Sequence, residues 1–215
     1  MRDFDSYNSR MPFSLDPEAT PHSDETIKKS RFIARLRYAD CEEDAYGFIA
    51  LARELERGAG HHCFAYIIGD EVESRIDRYS DDGEPSGTAG VPILHVLKAR
   101  DVVNVVAVVS RYYGGIKLGA GGLARAYSGG VVAALESTNL RRRIQSQVFT
   151  LAVDHAEAGW VEAELRRRRF DVDGVDYGQK AVITIHCAET AKLDSVIGEI
   201  TSGRGELIHV GHVWG

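Results

Sequence analysis

Cysteine is scarce in this chain: Cys41, Cys63 and Cys187 are odd in number and widely spaced, with no CxxC pair. That pattern excludes a disulfide framework and a zinc knuckle and leaves isolated thiols suited to a reducing compartment. Long apolar runs are missing too, none nearing the ~18 residues a bilayer-spanning helix needs. Asp3 and Asp5 stand where a secretory signal would be basic and then apolar. The expected location is therefore the cytoplasm, with no membrane partner. Cationic excess is also absent, because a net charge of −6 excludes a chain that coats polyanions over its whole surface. The phosphate loop GxxxxGK[ST] is not found either, since Lys117 follows Ile116 and precedes Leu118.

What the chain does have is the composition of a folded protein, 44% apolar and 27% charged over 215 residues, enough for one domain or two small ones. Three of the five prolines, Pro12, Pro17 and Pro21, fall in an unpatterned stretch, so residues 1–27 are expected to be a flexible arm. From residue 28 the pattern predicts a strand over 31–38 whose wet face carries Arg31, Arg35 and Arg37. A helix to about residue 57 follows, opened by Asp40 and Glu43 as a capping box. Strands are predicted over 63–68 and 72–79, and a helix capped by Ser86 or Thr88 that runs to about residue 99. VVNVVAVV, residues 102–109, reads as a strand covered on both faces, and a helix over 123–135 is expected to be interrupted at Gly129-Gly130. The polar, arginine-bearing residues 139–146 are the expected linker between domains spanning 28–138 and 147–215. Beyond it the strand and helix order is βαββαβ, the ferredoxin-like arrangement, so the expected class is α+β in two domains.

Charge and glycine meet in one place. Between Asp70 and Glu84 seven acids face two cations, whereas between Pro85 and Leu135 five cations face Asp101 alone. Within the second segment lies RYYGGIKLGAGGLARAYSGG, residues 111–130, with seven glycines, three cations and no carboxylate. Bare glycine amides and a helix start beside cations suit an anion or a nucleic acid. The candidate binding residues are Arg111, Tyr112, Tyr113, Lys117, Gly119, Gly121, Gly122 and Arg125. Tyr112 and Tyr113 point to opposite faces if the strand continues through them. The run from Gly119 to Ala124 satisfies GxGxxA but lies too far from the strand end for a dinucleotide fingerprint.

SDDGEPSGTAG, residues 80–90, supplies Asp81, Asp82, Glu84, Ser86 and Thr88. These acids can hold Mg²⁺ or work as an acid and base pair; equally they can cap local amides, or pair with Arg111, Lys117 or Arg125 if the two loops face each other. His61, His62 and Cys63 are candidate neighbours of the site. Consecutive strand residues face opposite ways, so the three cannot all ligate one metal, and no metal is expected there. His209 and His212, three apart, are expected to face opposite ways too. In the run Arg166–Arg169, pairing of Glu162 with Arg166 and Glu164 with Arg168 makes a solvated helix surface.

The blocks KKSRFIA, GHHCFAY, SDDGEPSGTAGVPIL and VVSRYYGGIKLGAGGLARAYSGG resemble the signature blocks of the IMPACT/YigZ family. The resemblance covers 28–135 by motif and the remainder by arrangement. It implies a first domain like the left-handed βαβ sandwich shared by a ribosomal protein and the GHMP kinases, and a second like the last domain of elongation factor G. It also implies a link to translation and nucleic-acid binding. Eukaryotic relatives bind a regulator of an initiation-factor kinase and carry in front an RWD domain with no counterpart in these residues, so that partnership is not carried over. Gly60-His61-His62-Cys63 departs from the Thr-His pattern of the family, which removes the threonine from any catalytic role.

The expected function is a non-enzymatic, RNA- or ribosome-associated factor without cofactor. The alternatives are a Mg²⁺-dependent phosphoester or nucleotide enzyme built on the Asp81, Asp82 and Glu84 carboxylates, and a protein–protein adaptor. Any small-molecule substrate is undefined by the sequence.

Overall fold

Residues 105–109 are all β-branched or alanine and all buried, as a strand roofed on both sides must be. The computed structural model describes residues 11–215. Its first unit contains, in chain order, β1 (Phe13–Ser14), β2 (His22–Ile27), β3 (Ser30–Tyr38), α1 (Glu42–Leu55), β4 (His61–Ile68), β5 (Ile76–Ser80), α2 (Gly90–Ala99), β6 (Val105–Tyr112), α3 (Ala120–Glu136) and β7 (Arg141–Arg142). Strands β2-β3-β6-β4-β5 form one antiparallel sheet with β6 at its centre.

Period-two alternation assigns the two faces of that sheet. Phe32, Leu36, Cys63, Ala107 and Val109 pack with α2 and α3 residues such as Leu97, Leu123 and Tyr127. On the other face, Tyr66, Val106 and Val108 pack with Phe48 and Ile49 of α1. The result is an α/β sandwich of three layers.

Helix α1 is not opened by a capping box: Cys41 is its N-cap and makes no side-chain cap bond. Glu42, Glu43 and Asp44 in the first turn answer the helix dipole instead. Gly129 and Gly130 do not interrupt α3. A Cβ on Gly130 would touch Ala34 Cβ at 3.4 Å, and Ser23 Oγ donates to the Gly130 carbonyl at 2.8 Å, so the small residue lets the helix lie close to the sheet.

Two expectations about boundaries need correction. Residues 1–10 of the expected arm lie outside the described residues, but 13–14 and 22–27 are strands, because β2 pairs along β3 and β1 along β7. The expected linker is structured as well. Arg141 and Arg142 form β7, and Arg143 donates from Nε and Nη2 to the two carboxylate oxygens of Asp70 at 2.8 and 2.9 Å. The chain divides between Arg143 and Ile144.

The second unit is β8 (Gln145–Val153), α4 (His155–Arg167), β9 (Asp171–Tyr177), β10 (Ala181–Cys187), α5 (Thr190–Ile200) and β11 (Glu206–Trp214), with sheet order β11-β8-β10-β9 and antiparallel pairing throughout. This is the ferredoxin-like βαββαβ arrangement. Phe149, Leu151, Ile183 and Ile185 face Val161, Leu165, Leu193 and Ile197 in its core. A register shift between His209 and Gly211 places His209 opposite Phe149 and His212 opposite Gln147. The two histidines therefore share a face, against the alternation rule, because the bulge inserts one residue. Arg166 pairs with Glu162, and Arg168 with Glu164 and Glu199, so that run is a salt-bridged surface. No described helix is long and apolar enough to cross a membrane.

Gly129 has nothing within 4 Å of an added Cβ and lies inside a helix. Gly129→Ala should stabilise the protein by about 0.5–1 kcal/mol through the lower entropy of its unfolded chain, read as a higher midpoint in chemical denaturation.

Candidate functional site

Strand β6 ends on the face that α2 and α3 cover, and its last inward residue is Arg111. The guanidinium is buried between two rings, Phe32 at 5.4 Å and Tyr113 at 5.3 Å from their centroids. Arg111 Nη1 donates to Glu84 Oε1 at 2.6 Å, and Tyr127 Oη donates to the same oxygen at 2.7 Å. The side chains of Arg111 and Glu84 are only 6% and 3% exposed, so this pair is desolvated and its charges answer each other. Arg111 Nη2 reaches Ser30 Oγ at 3.3 Å, while Nε is buried without a hydrogen-bond partner.

The acids of residues 80–90 are consumed by the fold. Asp81 Oδ1 accepts from the amides of Ala89 and Gly90 at 3.0 and 2.8 Å, and Oδ2 accepts from Gly87 at 2.8 Å. Asp81, not Ser86 or Thr88, thus caps α2 from across the loop. Thr88 Oγ1 donates to the Pro85 carbonyl instead, at 2.7 Å, and Ser86 is exposed. Asp82 accepts the His62 amide at 2.6 Å and Arg53 Nη2 at 2.7 Å. Burial raises its carboxyl, but the Arg53 and His62 hydrogen bonds outweigh this and hold it below the usual range. The three carboxylates do not converge. Among the described residues the cluster with metal-ligand spacing is Asp40, Cys41 and Asp44 on another part of the unit, which carries no further sign of a ligand.

His61, His62 and Cys63 separate as alternation requires. His61 Nδ1 donates to the Asp82 carbonyl at 2.8 Å on the face of Arg111. His62 turns to the opposite face, where Nδ1 shares a hydrogen bond with Ser110 Oγ at 2.9 Å. Burial, with Arg53 nearby, lowers its pKa. Cys63 Sγ donates to the Asp81 carbonyl at 2.9 Å, and burial pushes its thiol up to about 12. A thiol held protonated is no nucleophile at neutral pH. Burial and the adjoining Cys63 and Glu84 raise Tyr127 likewise, which keeps it a donor.

Next to this buried cluster opens a cleft of about 480 Å³, lined among others by His61, Glu84, Arg111, Tyr113, Lys117 and Gly119. It lies at the start of α3, whose N-cap Gly119 sits at φ 74, with no side-chain cap bond and no acid in the first turn. Of the eight sequence-predicted binding residues, Arg111, Tyr113, Lys117 and Gly119 line it. Tyr112 points to the other face, donating to Glu56 at 2.9 Å. Gly121, Gly122 and Arg125 lie along α3 outside the lining, with Gly122 packed on Leu118. Arg111 is not a free cation: Glu84 neutralises it, the pairing between the two loops that the sequence offered beside the binding role. Residues the sequence did not single out include Phe32, Ser30 and Tyr127. Alternation from β6 would have placed Phe32 beside Arg111, for the two are register partners on adjacent strands.

The chain matches the Impact N-terminal domain over residues 28–135 and a domain of unknown function, DUF1949, over residues 151–204. It is 38% identical over 183 residues to YvyE of Bacillus subtilis, covering 84% of this chain and 83% of that one. To YigZ of Escherichia coli it is 36% identical over 198 residues, covering 91% and 97%. A crystal structure of a hypothetical protein superposes with a TM-score of 0.68 at 35% identity, over 93% of this chain and 98% of the other.

Two outcomes follow from the buried groups. Glu84→Gln leaves Arg111 buried beside a neutral partner and should cost about 3 kcal/mol of stability in urea denaturation. His62, whose folded pKa is lowered from 6.5, takes up a proton less readily than in the unfolded chain. Its contribution is therefore complete above about pH 6.5 and is lost as pH falls through the folded value. His62→Gln should flatten the melting-temperature profile on the acid side of pH 6.5, while an unchanged slope would assign it to other groups.

Proposed function

Since the chain belongs to the IMPACT family, we propose that it is a translation-related, non-enzymatic RNA-binding factor of the cytoplasm, whose first unit receives phosphate and base at the cleft before α3. The observation that carries this reading is the half-exposed Tyr113 ring lying over buried Arg111, with Lys117 exposed at an acid-free helix start. A half-exposed ring backed by a guanidinium offers a stacking surface that accepts any base. Lys117 and the Gly119–Gly121 amides offer the matching anion contact. Glu84 acts inside this arrangement as the counter-charge that fixes Arg111 under the ring. The second unit, read as like the last domain of elongation factor G, supplies a separate contact on the ribosome.

The Mg²⁺ enzyme is the weaker reading, because Asp81, Asp82 and Glu84 are each engaged by protein donors. Titration with Mg²⁺ in the presence and absence of nucleotide separates the two readings. An adaptor would show protein and not RNA in a crosslink from lysate.

The direct test is fluorescence anisotropy with a twelve-nucleotide oligouridylate. Binding should weaken steeply with salt, Lys117→Glu should lower affinity ~10-fold or more, and Tyr113→Ala should lower it ~5- to 100-fold through lost stacking. Equal affinity of the wild-type and Lys117→Glu proteins would overturn the reading.

A further inference from the structure

Two lysines outside the cleft lining occupy backbone that lysine does not favour. Lys28 and Lys29 form the two-residue loop between β2 and β3, closed by the Ile27 and Ser30 pair. Their φ values are 45 and 64, the left-handed region, where glycine and asparagine are the usual occupants of such a turn. Both side chains are exposed, so packing does not call for them. Strain of this kind persists where the surroundings impose it, and it gathers at functional sites.

The surroundings here lead to the cleft. A Cβ on Gly114 would lie 1.9 Å from the Lys29 carbonyl oxygen, so the lysine turn sits backbone against backbone on the loop that follows Tyr113. Ser30, fully buried, accepts from the Gly114 amide and from Arg111 Nη2, both at 3.3 Å. Arg111 lines the cleft, and its buried Nε has no hydrogen-bond partner, a donor left open inside the same network. The turn, Ser30, Gly114 and Arg111 are one connected piece of structure.

We propose that the Lys28–Lys29 turn is a second cationic arm of the cleft, so that the site takes two successive phosphates of a single-stranded RNA, one at Lys117 and the start of α3 and the other at the lysine turn. This rests on the RNA-binding reading above. Placing the lysines on a strained turn seated against Gly114 holds their backbone still while the long side chains reach the ligand.

The test replaces both lysines by the residues the turn prefers, Lys28→Asn with Lys29→Gly, and measures oligouridylate binding across salt concentrations together with the melting temperature. The double variant should melt higher than the wild type, because its turn is relieved. It should bind ~5-fold more weakly near 0.1 M salt, with the slope of log affinity against log salt reduced by ~0.7, the value for one single-strand phosphate contact. Lys28→Arg with Lys29→Arg should retain the affinity. If Lys117→Glu weakens binding while the Asn and Gly variant binds like the wild type with an unchanged slope, the lysine arm is refuted and the cleft stands. If the wild type does not bind the oligonucleotide, the RNA reading fails and the lysine arm falls with it.

Discussion

The first unit is organised around one buried ion pair, Arg111 with Glu84. Its four attachments come from four parts of the chain: the end of β6, the loop after β5, Tyr127 of α3, and Ser30 at the start of β3. Breaking such a pair costs much more than forming it gains, because the survivor keeps its charge without a partner in a poorly polarisable interior. The weight of the pair is therefore in what its loss would cost rather than in what its formation adds. The pair ties the loop, the helix and the strand together, and the cleft opens beside it, lined by Glu84, Arg111 and Tyr113.

The same pair also decides the electrostatics. The sequence has an acid-rich stretch followed by a nearly acid-free one, which taken alone suggests a strongly positive patch. In the fold, one acid of the first stretch is inserted among the cations of the second. Of the other four cations, all exposed, Lys98 pairs with Asp77 and Arg100 with Glu136, which leaves Lys117 and, farther along α3, Arg125 as the exposed charges near the cleft. A modest local charge with an aromatic surface and free helix amides suits reversible contact with a flexible strand better than tight capture of a compact polyanion.

Much of the architecture was legible because hydrophobic period is a strong signal. All six elements of the second unit follow from alternation and 3.6-residue spacing, and the doubly covered strand from Val105 to Val109 announced itself through composition. The failures share a cause. Strand β2 is polar, HSDETI, because it is a sheet edge with most of its residues toward solvent, so nothing in its pattern separates it from a loop. The cap of α2 comes from Asp81, eight and nine residues before the amides it serves, farther than local capping rules reach. Half of the candidate site was identified through glycine and cation content. Pairing of Arg111 with an acid of residues 80–90 was one of the alternatives open in the sequence, but its burial and the choice of Glu84 were not legible, because ion pairing across 27 residues depends on where two loops meet, which is a property of the completed sheet.

The short pairing of β1 with β7 joins Phe13 to Arg142 and Ser14 to Arg141, so the first unit is stitched shut by its two extremities. A chain that emerges from its N-terminus can build the edge hairpins β2–β3 and β4–β5 early, but this clasp must wait until residue 142 has been made, and closing a loop of about 130 residues carries an entropic cost that grows only slowly with length. Completion of the first unit is thereby timed to the moment when the chain reaches the start of the second.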